Sequence, residues 1–445
     1  MSKLTCKMTQ NIKGFSKLTK EEKINWIAQT YFSNPAEAKT VITQYWNNNE
    51  ELQKLHDEFI ENTLTNFYLP YGVAPNFLIN GKSYTIPMAI EESSVVAAAS
   101  KAAKFWSERG GFKTTIIDTE KIGQVHFLFD GNTDELEAFF DCIKAKFWID
   151  TDEFTKNMQK RGGGIVNIQL INKTHELEHY YQLHATFNTK DSMGANFINT
   201  CLEQFAKTLE NEAQEYTPFL KENRTIQVIM SILSNYVPNC LVRVEVSSPV
   251  DNMSDDKSIE GKEFAEKFAT AVKIAEIEPY RAVTHNKGIM NGIDAVVIAT
   301  GNDFRAIEAG VHAFAGKDGQ YSSLSHAKIE NGIFTFWMDI PLALGTIGGL
   351  TSLHPLVKFS LEMLGKPSAE ELMQIIAAAG LAQNFAAVRS LTTTGIQKGH
   401  MKMHIMNILN QHHATKEEKL QVLEYFKDTT ISHSLVVDYL ESLRS

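Results

Sequence analysis

One stretch of the chain, residues 281–303, has a lysine and a carboxylate on either side of an apolar segment. Lys287 lies among small and polar neighbours, the apolar run 295–299 follows, and Asp303 ends the stretch. A partly desolvated lysine near a carboxylate has a tunable pKa and can act as an electrophile, an acid or a Schiff-base amine. The alternative interpretation is a solvated surface lysine followed by an ordinary turn.

A pair of carboxylates, Glu91 and Glu92, stands where a predicted strand meets a predicted helix. Residues 83–89 read as a strand, and residues 95–106 are alanine-rich and helical, with Ser93 or Ser94 suited to cap the helix. Acids beside the free N–H groups of a helix can take part in chemistry, or they can simply complement the helix dipole.

A third polar segment, residues 191–196, precedes another predicted helix. Asp191 or Ser192 can cap this helix, and Gly194 would let another backbone or a phosphate approach closely. A plain helix start is the alternative. Neither GxGxxG nor GxxxxGK[ST] occurs in the chain, so the sequence supports neither a Rossmann fingerprint nor a P-loop.

A glycine-flanked histidine, His400, precedes a short C-terminal helical region and predicts a mobile flap. His400 and His404 share an i, i+4 helix face that could hold a metal, but no acid completes an HExxH pattern, so we predict no metal site. A lone histidine is more often structural, although its pKa suits proton transfer.

The overall composition excludes several classes of protein. The net charge of −10 argues against nucleic-acid or anionic-membrane binding. No apolar run approaches 18 residues, and the polar N-terminus resembles no signal peptide, so we expect no membrane span. The four cysteines are scattered and form no CxxC pair, which fits a reducing cytoplasm.

The predicted elements that position these residues form an α+β fold. Residues 1–18 are expected to form a loose arm, three helices are expected between residues 19 and 64, and Asn80-Gly81 predicts a hairpin turn. The order from residue 112 to 234 is β-α-β-β-α-β, as in ferredoxin-like folds, with strands at 123–129, 165–171, 180–187 and 226–233. The chain after residue 235 is expected to be mostly helical, with strands at 333–338 and 341–344. The run 289–300 has helical length, although 295–299 alone could be a buried strand.

Six segments together resemble the bacterial, soluble (class II) 3-hydroxy-3-methylglutaryl-coenzyme A (HMG-CoA) reductases. They lie at residues 87–100, 191–196, 284–292, 299–303, 380–384 and 395–401. Several matches in one order are far more specific than any single motif. The resemblance implies a large, mostly helical substrate domain (1–111 and 235–394), an inserted ferredoxin-like cofactor domain (112–234) and a C-terminal flap (395–445).

The resemblance also implies a four-electron reduction of HMG-CoA to mevalonate and coenzyme A by two NAD(P)H. Lys287 would stabilise the oxyanion, and Glu92 would be the general acid in a network with Lys287 and Asp303. His400 would protonate the leaving thiolate. The substrate contacts would be Ser94, Arg281, Asn291 and Gln383.

The cofactor contacts implied by the resemblance are Asp191, Met193, Gly194 and Asn196. The position of an acid that binds the adenosine ribose in NAD-preferring relatives is Thr155 here. An acid would repel a 2′-phosphate and threonine would not, so the sequence favours NADPH and leaves NADH open. The resemblance further implies a cytoplasmic homodimer with each active site between subunits, and no metal.

Three alternative functions stay open from the residues. The same enzyme could run in reverse for mevalonate catabolism with NAD. A Schiff-base enzyme built on Lys287, such as an aldolase or a pyridoxal enzyme, would trap its substrate on that lysine under borohydride. A non-catalytic coenzyme A-binding protein would keep every activity after Lys287→Ala.

Overall fold

The computed structural model of the protein describes residues 11–255, 259–393, 405–426 and 432–444. The chain forms two compact units, Met1–Pro70 and Tyr71–Ser445. The predicted boundaries after residues 111, 234 and 394 therefore do not coincide with this division, and they stay predictions.

The described part of the first unit contains three α-helices that each begin at a polar cap. They are α1 (Lys20–Tyr31), α2 (Pro35–Gln44) and α3 (Glu50–Asp57). Thr19 and Glu22 form a capping box, and the Asn34 side chain accepts a hydrogen bond from the Glu37 N–H. The indole of Trp46 donates to the Leu64 carbonyl at 2.9 Å, which ties the end of the unit to its helices.

The second unit begins with a hairpin that leads to the candidate carboxylates Glu91 and Glu92. Strands β1 (Tyr71–Ile79) and β2 (Lys82–Ala89) pair antiparallel and are followed by α4 (Val95–Ser107). Asn80 and Gly81 both have positive φ angles, 47° and 81°, which confirms the predicted hairpin turn. Residues 71–74 and 77–79 pair with β2, and the register shifts between Ala74 and Phe77.

A four-stranded antiparallel sheet with the order β5-β6-β4-β7 forms the next layer. Two long helices contribute their apolar faces to its core, including Phe139, Phe147 and Phe205. This order and pairing are those of a ferredoxin-like βαββαβ unit. The elements, in chain order after β3 (Lys113–Ile116), are β4 (Lys121–Phe129), α5 (Thr133–Gln159), β5 (Gly164–Asn172), β6 (Tyr180–Asn188), α6 (Ala195–Glu215), α7 (Thr217–Glu222) and β7 (Ile226–Leu233).

A second antiparallel sheet has the order β3-β8-β10-β9. It contains β8 (Leu241–Pro249), β9 (Ser325–Glu330) and β10 (Ile333–Pro341). Strand β3 pairs with β8, so the ferredoxin-like sheet begins only at β4. The predicted strand at 333–338 is confirmed, whereas the predicted strand at 341–344 is wrong because β10 ends at Pro341.

Helices cover this second sheet and complete the main core. They are α8 (Gly261–Ile277), α9 (Pro279–Ala299), α10 (Phe304–Ala315), α11 (Leu350–Leu353), α12 (Pro355–Met363) and α13 (Ala369–Thr392). Helix α9 is continuous, so residues 295–299 are helical and not a strand. By length and composition α13 alone among the described helices could cross a membrane, but most of it is buried in the core.

Close to the C-terminus, residues 405–411 are helical, and α14 (Lys416–Tyr425) and α15 (His433–Arg444) follow. Thr415 and Glu418 form a capping box at the start of α14. The Leu435 N–H donates to the Ser432 hydroxyl at 3.3 Å, at the start of the last helix. These segments share a small apolar cluster of their own.

Helices α9 and α13 come together at Gly292. A β-carbon added there would lie 2.6 Å from the Ala379 carbonyl oxygen and 2.8 Å from the Gln383 β-carbon. We expect Gly292→Ala to lower the free energy of unfolding by about 1–3 kcal/mol, because the methyl group would force the helices apart.

Urea unfolding monitored by circular dichroism measures this change. Gly288→Ala is the matched control, since its methyl group would meet only the Ala387 β-carbon, at 4.0 Å. Alanine is the better helix former, so the control should be neutral or slightly more stable than the native protein. Equal stability of the two variants would contradict the close-packing explanation.

Candidate active site

The loop after β2 and the exposed face of α9 bring two predicted catalytic residues together. The Lys287 Nζ donates a hydrogen bond to the Glu92 Oε2 at 2.6 Å. The Asn291 amide, one helical turn later, donates to the same oxygen at 3.3 Å. The side chains of Lys287 and Glu92 are 60% and 37% exposed, so a ligand can reach both.

The opposite face of α9 is held in the core by buried polar contacts. The His285 Nε2 lies 2.6 Å from the Ser325 hydroxyl, which donates to the Asn384 side-chain oxygen at 2.8 Å. The Asn286 amide donates to the Ser322 carbonyl at 2.9 Å and accepts from the Leu324 N–H at 3.0 Å. Together these contacts fix the rotation of α9, which keeps Lys287 on the outer face.

Burial lowers the pKa of His285 to about 3, mainly through desolvation, so the ring is neutral and has a structural role. In the sequence, His285 and Asn286 were visible only as neighbours of Lys287. Recognising that residues 285–287 are helical would have separated the inward polar pair from the outward lysine.

The four predicted substrate contacts have different environments. Ser94 occupies the N-cap position of α4, but its φ is 77° and its side chain makes no capping hydrogen bond. The prediction that Ser93 or Ser94 caps α4 is therefore wrong. A positive φ at a non-glycine residue costs about 1 kcal/mol or more and often accompanies a functional site. The Ser94 side chain is exposed, and Ser94 follows Glu92 closely in the sequence.

Gln383 is buried and Arg281 is half-buried. Among the described residues, no hydrogen-bond partner is found for the Gln383 Oε1 and no ion-pair partner for the Arg281 guanidinium. The Gln383 Oε1 is buried with no hydrogen bond, in a side chain that packs against Gly292. The Arg281 guanidinium is half-buried, and desolvation lowers its pKa. It pairs with no carboxylate in the described part of the chain. Both groups could therefore bind a polar ligand, as Asn291 could from the exposed side.

Asp303 caps helix α10 and does not join the Lys287–Glu92 pair in this conformation. Its Oδ1 accepts from the backbone N–H groups of Arg305 and Ala306 at 3.0 and 3.2 Å. Its Oδ2 accepts from the Arg305 guanidinium at 2.9 Å. The structure thus brings two of the predicted catalytic groups together and leaves the third bound to its own helix.

Asp303 lines a cavity of about 530 Å³ that reaches the start of α6. Three predicted cofactor contacts line the same cavity: Met193, Gly194 and Asn196. Gly194 is the N-cap of α6, with a φ of 89° and no side-chain cap, so the prediction that Asp191 or Ser192 caps this helix is wrong. A β-carbon on Gly194 would lie 2.3 Å from the Thr189 Cγ2, so glycine is needed for this internal contact.

Two other predicted cofactor contacts lie elsewhere. The Asp191 Oδ1 accepts from the Ala369 N–H at 2.8 Å, at the start of α13, and Asp191 does not line the cavity. Thr155 is only 1% exposed, and its hydroxyl accepts from the Gln159 amide at 2.9 Å. The prediction that Thr155 contacts the cofactor is corrected, because its side chain points into the core. The residues of α5 and the following turn that line the cavity are Phe154, Asn157, Met158 and Arg161.

His400 and His404 lie outside the described residues. The predicted thiolate-protonating role of His400, and the flap that would carry it, therefore stay predictions.

Comparisons with known proteins identify relatives of the whole chain. Residues 19–405 match the family model described as hydroxymethylglutaryl-coenzyme A reductase. A 3-hydroxy-3-methylglutaryl-coenzyme A reductase of Archaeoglobus fulgidus is 39% identical over 98% of this chain and 96% of its own. A probable reductase of the same name from Borreliella burgdorferi is 35% identical over 80% of this chain and 79% of its own.

Solved structures of the reductase from Streptococcus pneumoniae are also similar. One is 36% identical and covers 97% of this chain and 99% of its own, with a TM-score of 0.71. Another, described as the class II reductase bound to NADPH in open conformations, is 37% identical. It covers 86% of this chain and 99% of its own, with a TM-score of 0.70.

Proposed function

Because the chain belongs to the hydroxymethylglutaryl-coenzyme A reductase family, we propose that it reduces (S)-HMG-CoA to mevalonate and free coenzyme A with two NAD(P)H. The observation that supports this reaction most directly is the 2.6 Å contact between Lys287 and Glu92. A cation beside a proton donor, both open to solvent, suits a carbonyl that gains negative charge and is then protonated.

Lys287 is proposed to stabilise the oxyanion at both reduction steps. Hydride addition to the thioester carbonyl gives a hemithioacetal oxyanion, loss of the thiolate gives an aldehyde, and a second hydride gives an alkoxide. The nicotinamide cofactor supplies these two hydrides. The ammonium group lies on a helix fixed in the core by His285 and Asn286, so it is already oriented when charge develops.

Glu92 is proposed to be the general acid that protonates the oxygen after hydride addition. Its contact with Asn291 supports the same carboxylate oxygen that faces Lys287. Asp303 is proposed to act from the side of the cofactor cavity and to tune the pKa values of Lys287 and Glu92. A shared network with Lys287 would require its carboxylate to leave Arg305. His400 is proposed to protonate the leaving thiolate.

The substrate is proposed to bind through Ser94, Arg281, Asn291 and Gln383. A guanidinium matches the free carboxylate of the substrate, and Arg281 has no competing acid among the described residues. The unpaired Gln383 Oε1 would accept a hydrogen bond from the substrate hydroxyl. Ser94 would reach the same ligand from the loop that carries Glu92.

The cofactor is proposed to bind in the cavity lined by Met193, Gly194 and Asn196. The start of α6 carries free backbone N–H groups and the positive end of the helix dipole, which suit a diphosphate. Arg161 lines the same cavity and is a cation for the 2′-phosphate of NADPH. We therefore favour NADPH, with NADH as the alternative, and assign the preference to Arg161 instead of Thr155.

We expect Arg161→Ala to raise the KM for NADPH about tenfold and to leave the KM for NADH nearly unchanged, because only NADPH loses a charged contact. Steady-state kinetics with each cofactor measure the two constants. Lys160→Ala is the matched control, since this exposed neighbour does not line the cavity. An equal rise for both cofactors would contradict recognition of the 2′-phosphate.

The protein is proposed to be a cytoplasmic homodimer, or a larger oligomer, with its active sites between subunits. On the outer face of α9, Tyr280 and Val283 are 88% and 53% exposed, so apolar surface lies near Lys287. Light scattering after gel filtration tests the oligomer. The reaction is proposed to run towards mevalonate for isoprenoid synthesis, with mevalonate oxidation by NAD as the alternative direction.

Absorbance of the reduced nicotinamide, with HMG-CoA and each cofactor in turn, tests the function. The expected result is oxidation of two NAD(P)H for each coenzyme A released. Absence of HMG-CoA-dependent oxidation with both cofactors would overturn the proposal. A borohydride-reduced adduct on Lys287 would favour a Schiff-base enzyme instead.

A further inference from the structure

A buried lysine outside the catalytic pair joins several segments behind the proposed cofactor cavity. Lys121 begins β4 and is only 5% exposed. Its ammonium donates to the Thr189 hydroxyl at 2.7 Å and to the carbonyls of Ser192 and Met193, each at 2.9 Å. It also reaches the Leu344 carbonyl at 3.3 Å. All four partners are neutral oxygens, and no described carboxylate forms an ion pair with this ammonium.

The segment 344–347 extends these contacts to the loop that carries Asp303. The Thr346 N–H donates to the Asp191 carbonyl at 2.8 Å, and Ser192 and Ile347 form a parallel β-bridge. The Gly345 N–H donates to the Asn302 side-chain oxygen at 2.8 Å. A continuous set of contacts therefore runs from Lys121 through the 191–193 segment to the residue before Asp303.

Burying a charge without an acid to pair with it costs free energy. A role in ligand binding would therefore explain the buried lysine better than a role in packing. The Met193 carbonyl that Lys121 binds belongs to the same peptide unit as the Gly194 N–H. A cation at the carbonyl end polarises that peptide and makes its N–H a stronger donor. Gly194 lines the cavity proposed for the cofactor, so the charge of Lys121 acts on the side where an anion would bind.

We propose that Lys121 is a positioning residue that holds the 189–194 segment for the dianionic diphosphate of a nicotinamide dinucleotide and links this segment to the loop of Asp303. This inference rests on the proposed cofactor site. The ammonium would not touch the cofactor. It would act through the Ser192 and Met193 carbonyls and through the start of α6.

The charge of this lysine changes in an accessible pH range. Burial lowers the pKa of Lys121 to about 8, and the neighbouring Cys240 thiol is neutral there because burial raises its pKa to about 11. The cation is present below pH 8 and is lost above it, so cofactor affinity should fall as the pH rises through 8. The other charged groups near this junction are Asp118, Arg161, Lys190, Asp191 and Glu370.

The test measures the affinity of the full-length protein for NADPH without substrate, at pH values from 6.5 to 9.5. The fluorescence of the reduced nicotinamide reports binding. Lys121→Met should weaken binding about 10- to 100-fold at pH 7, as loss of a charge-assisted hydrogen bond does, and should remove the fall near pH 8. Lys121→Arg keeps the charge and should move that fall above pH 9.5. The control Lys207→Met, at an exposed lysine of α6 that does not line the cavity, should bind within threefold of the native protein.

A purely structural role would lower the melting temperature without changing the pH profile of binding. If Lys121→Met does not fold, Lys121→Gln supplies uncharged donors and tests the same point. Binding by Met or Gln variants within threefold of native, or a native affinity that is flat through pH 8, would overturn the inference. A native protein that binds NADPH but shows no HMG-CoA-dependent oxidation would overturn the proposed function alone.

Discussion

Lys287→Ala is expected to lower kcat for HMG-CoA reduction about 1,000-fold and to change the KM for HMG-CoA and NADPH only severalfold. The ammonium lies 2.6 Å from the Glu92 carboxylate, and α9 carries it on a helix held in the core. Removing a preorganised group that stabilises an oxyanion raises the barrier of the chemical step much more than it weakens ground-state binding.

Steady-state rates and direct NADPH binding measure the two parts of this expectation for Lys287→Ala. Lys273→Ala is the matched control, since this exposed lysine on α8 also pairs with a glutamate, at 2.7 Å from Glu276. The control should keep the native kcat, because a surface ion pair contributes little to the stability of the fold. A Lys287→Ala variant with kcat within tenfold of native would remove this lysine from the chemistry.

Glu92→Gln is expected to lower kcat by about 100- to 10,000-fold, the range for loss of a general acid. The amide keeps the shape of the carboxyl group, so the Lys287 contact can persist while the transferable proton is lost. Reduction of the free aldehyde intermediate, which also needs a proton on oxygen, should be slowed as well. Reduction of the aldehyde at the native rate would limit Glu92 to the thioester step.

The adjacent glutamate provides the control for this second substitution. Glu91 is exposed and belongs to the same loop, so Glu91→Gln changes the net charge equally without touching the Lys287 contact. Its kcat should stay within threefold of native. Equal losses in both variants would mean that the loop responds to charge and that Glu92 has no special role.

Local signals in the sequence predicted much of the ferredoxin-like unit. Apolar alternation marked its four strands, and the order of strands and helices in the sequence matches the observed order. Strand β8 was not predicted, although Val242, Val244 and Val246 alternate as a buried strand should. Strand β9 carries charged residues and has a weak pattern, and its place in the sheet depends on pairing with β10.

The chemistry expected at the site came from the family resemblance of the motifs, whereas its geometry depends on long-range packing. The contact of Glu92 with Lys287 joins residues 195 positions apart, and only the motifs suggested it. Capping at α4 and α6 could not be predicted, because Ser94 and Gly194 take positive φ angles that the sequence does not display. Thr155 was misassigned because its side chain lies on the inward face of α5.

The buried contacts of His285 and Asn286 limit how this protein can accommodate different ligands. A helix clamped to a sheet and to α13 along one side has little freedom to rotate or slide. The backbone of Lys287 therefore keeps its position, and the groups around it must rearrange to fit a ligand. Acyl groups of different size must therefore be fitted by the segment of Glu92 and Ser94. The backbone of this segment is already strained, because Ser94 has a positive φ.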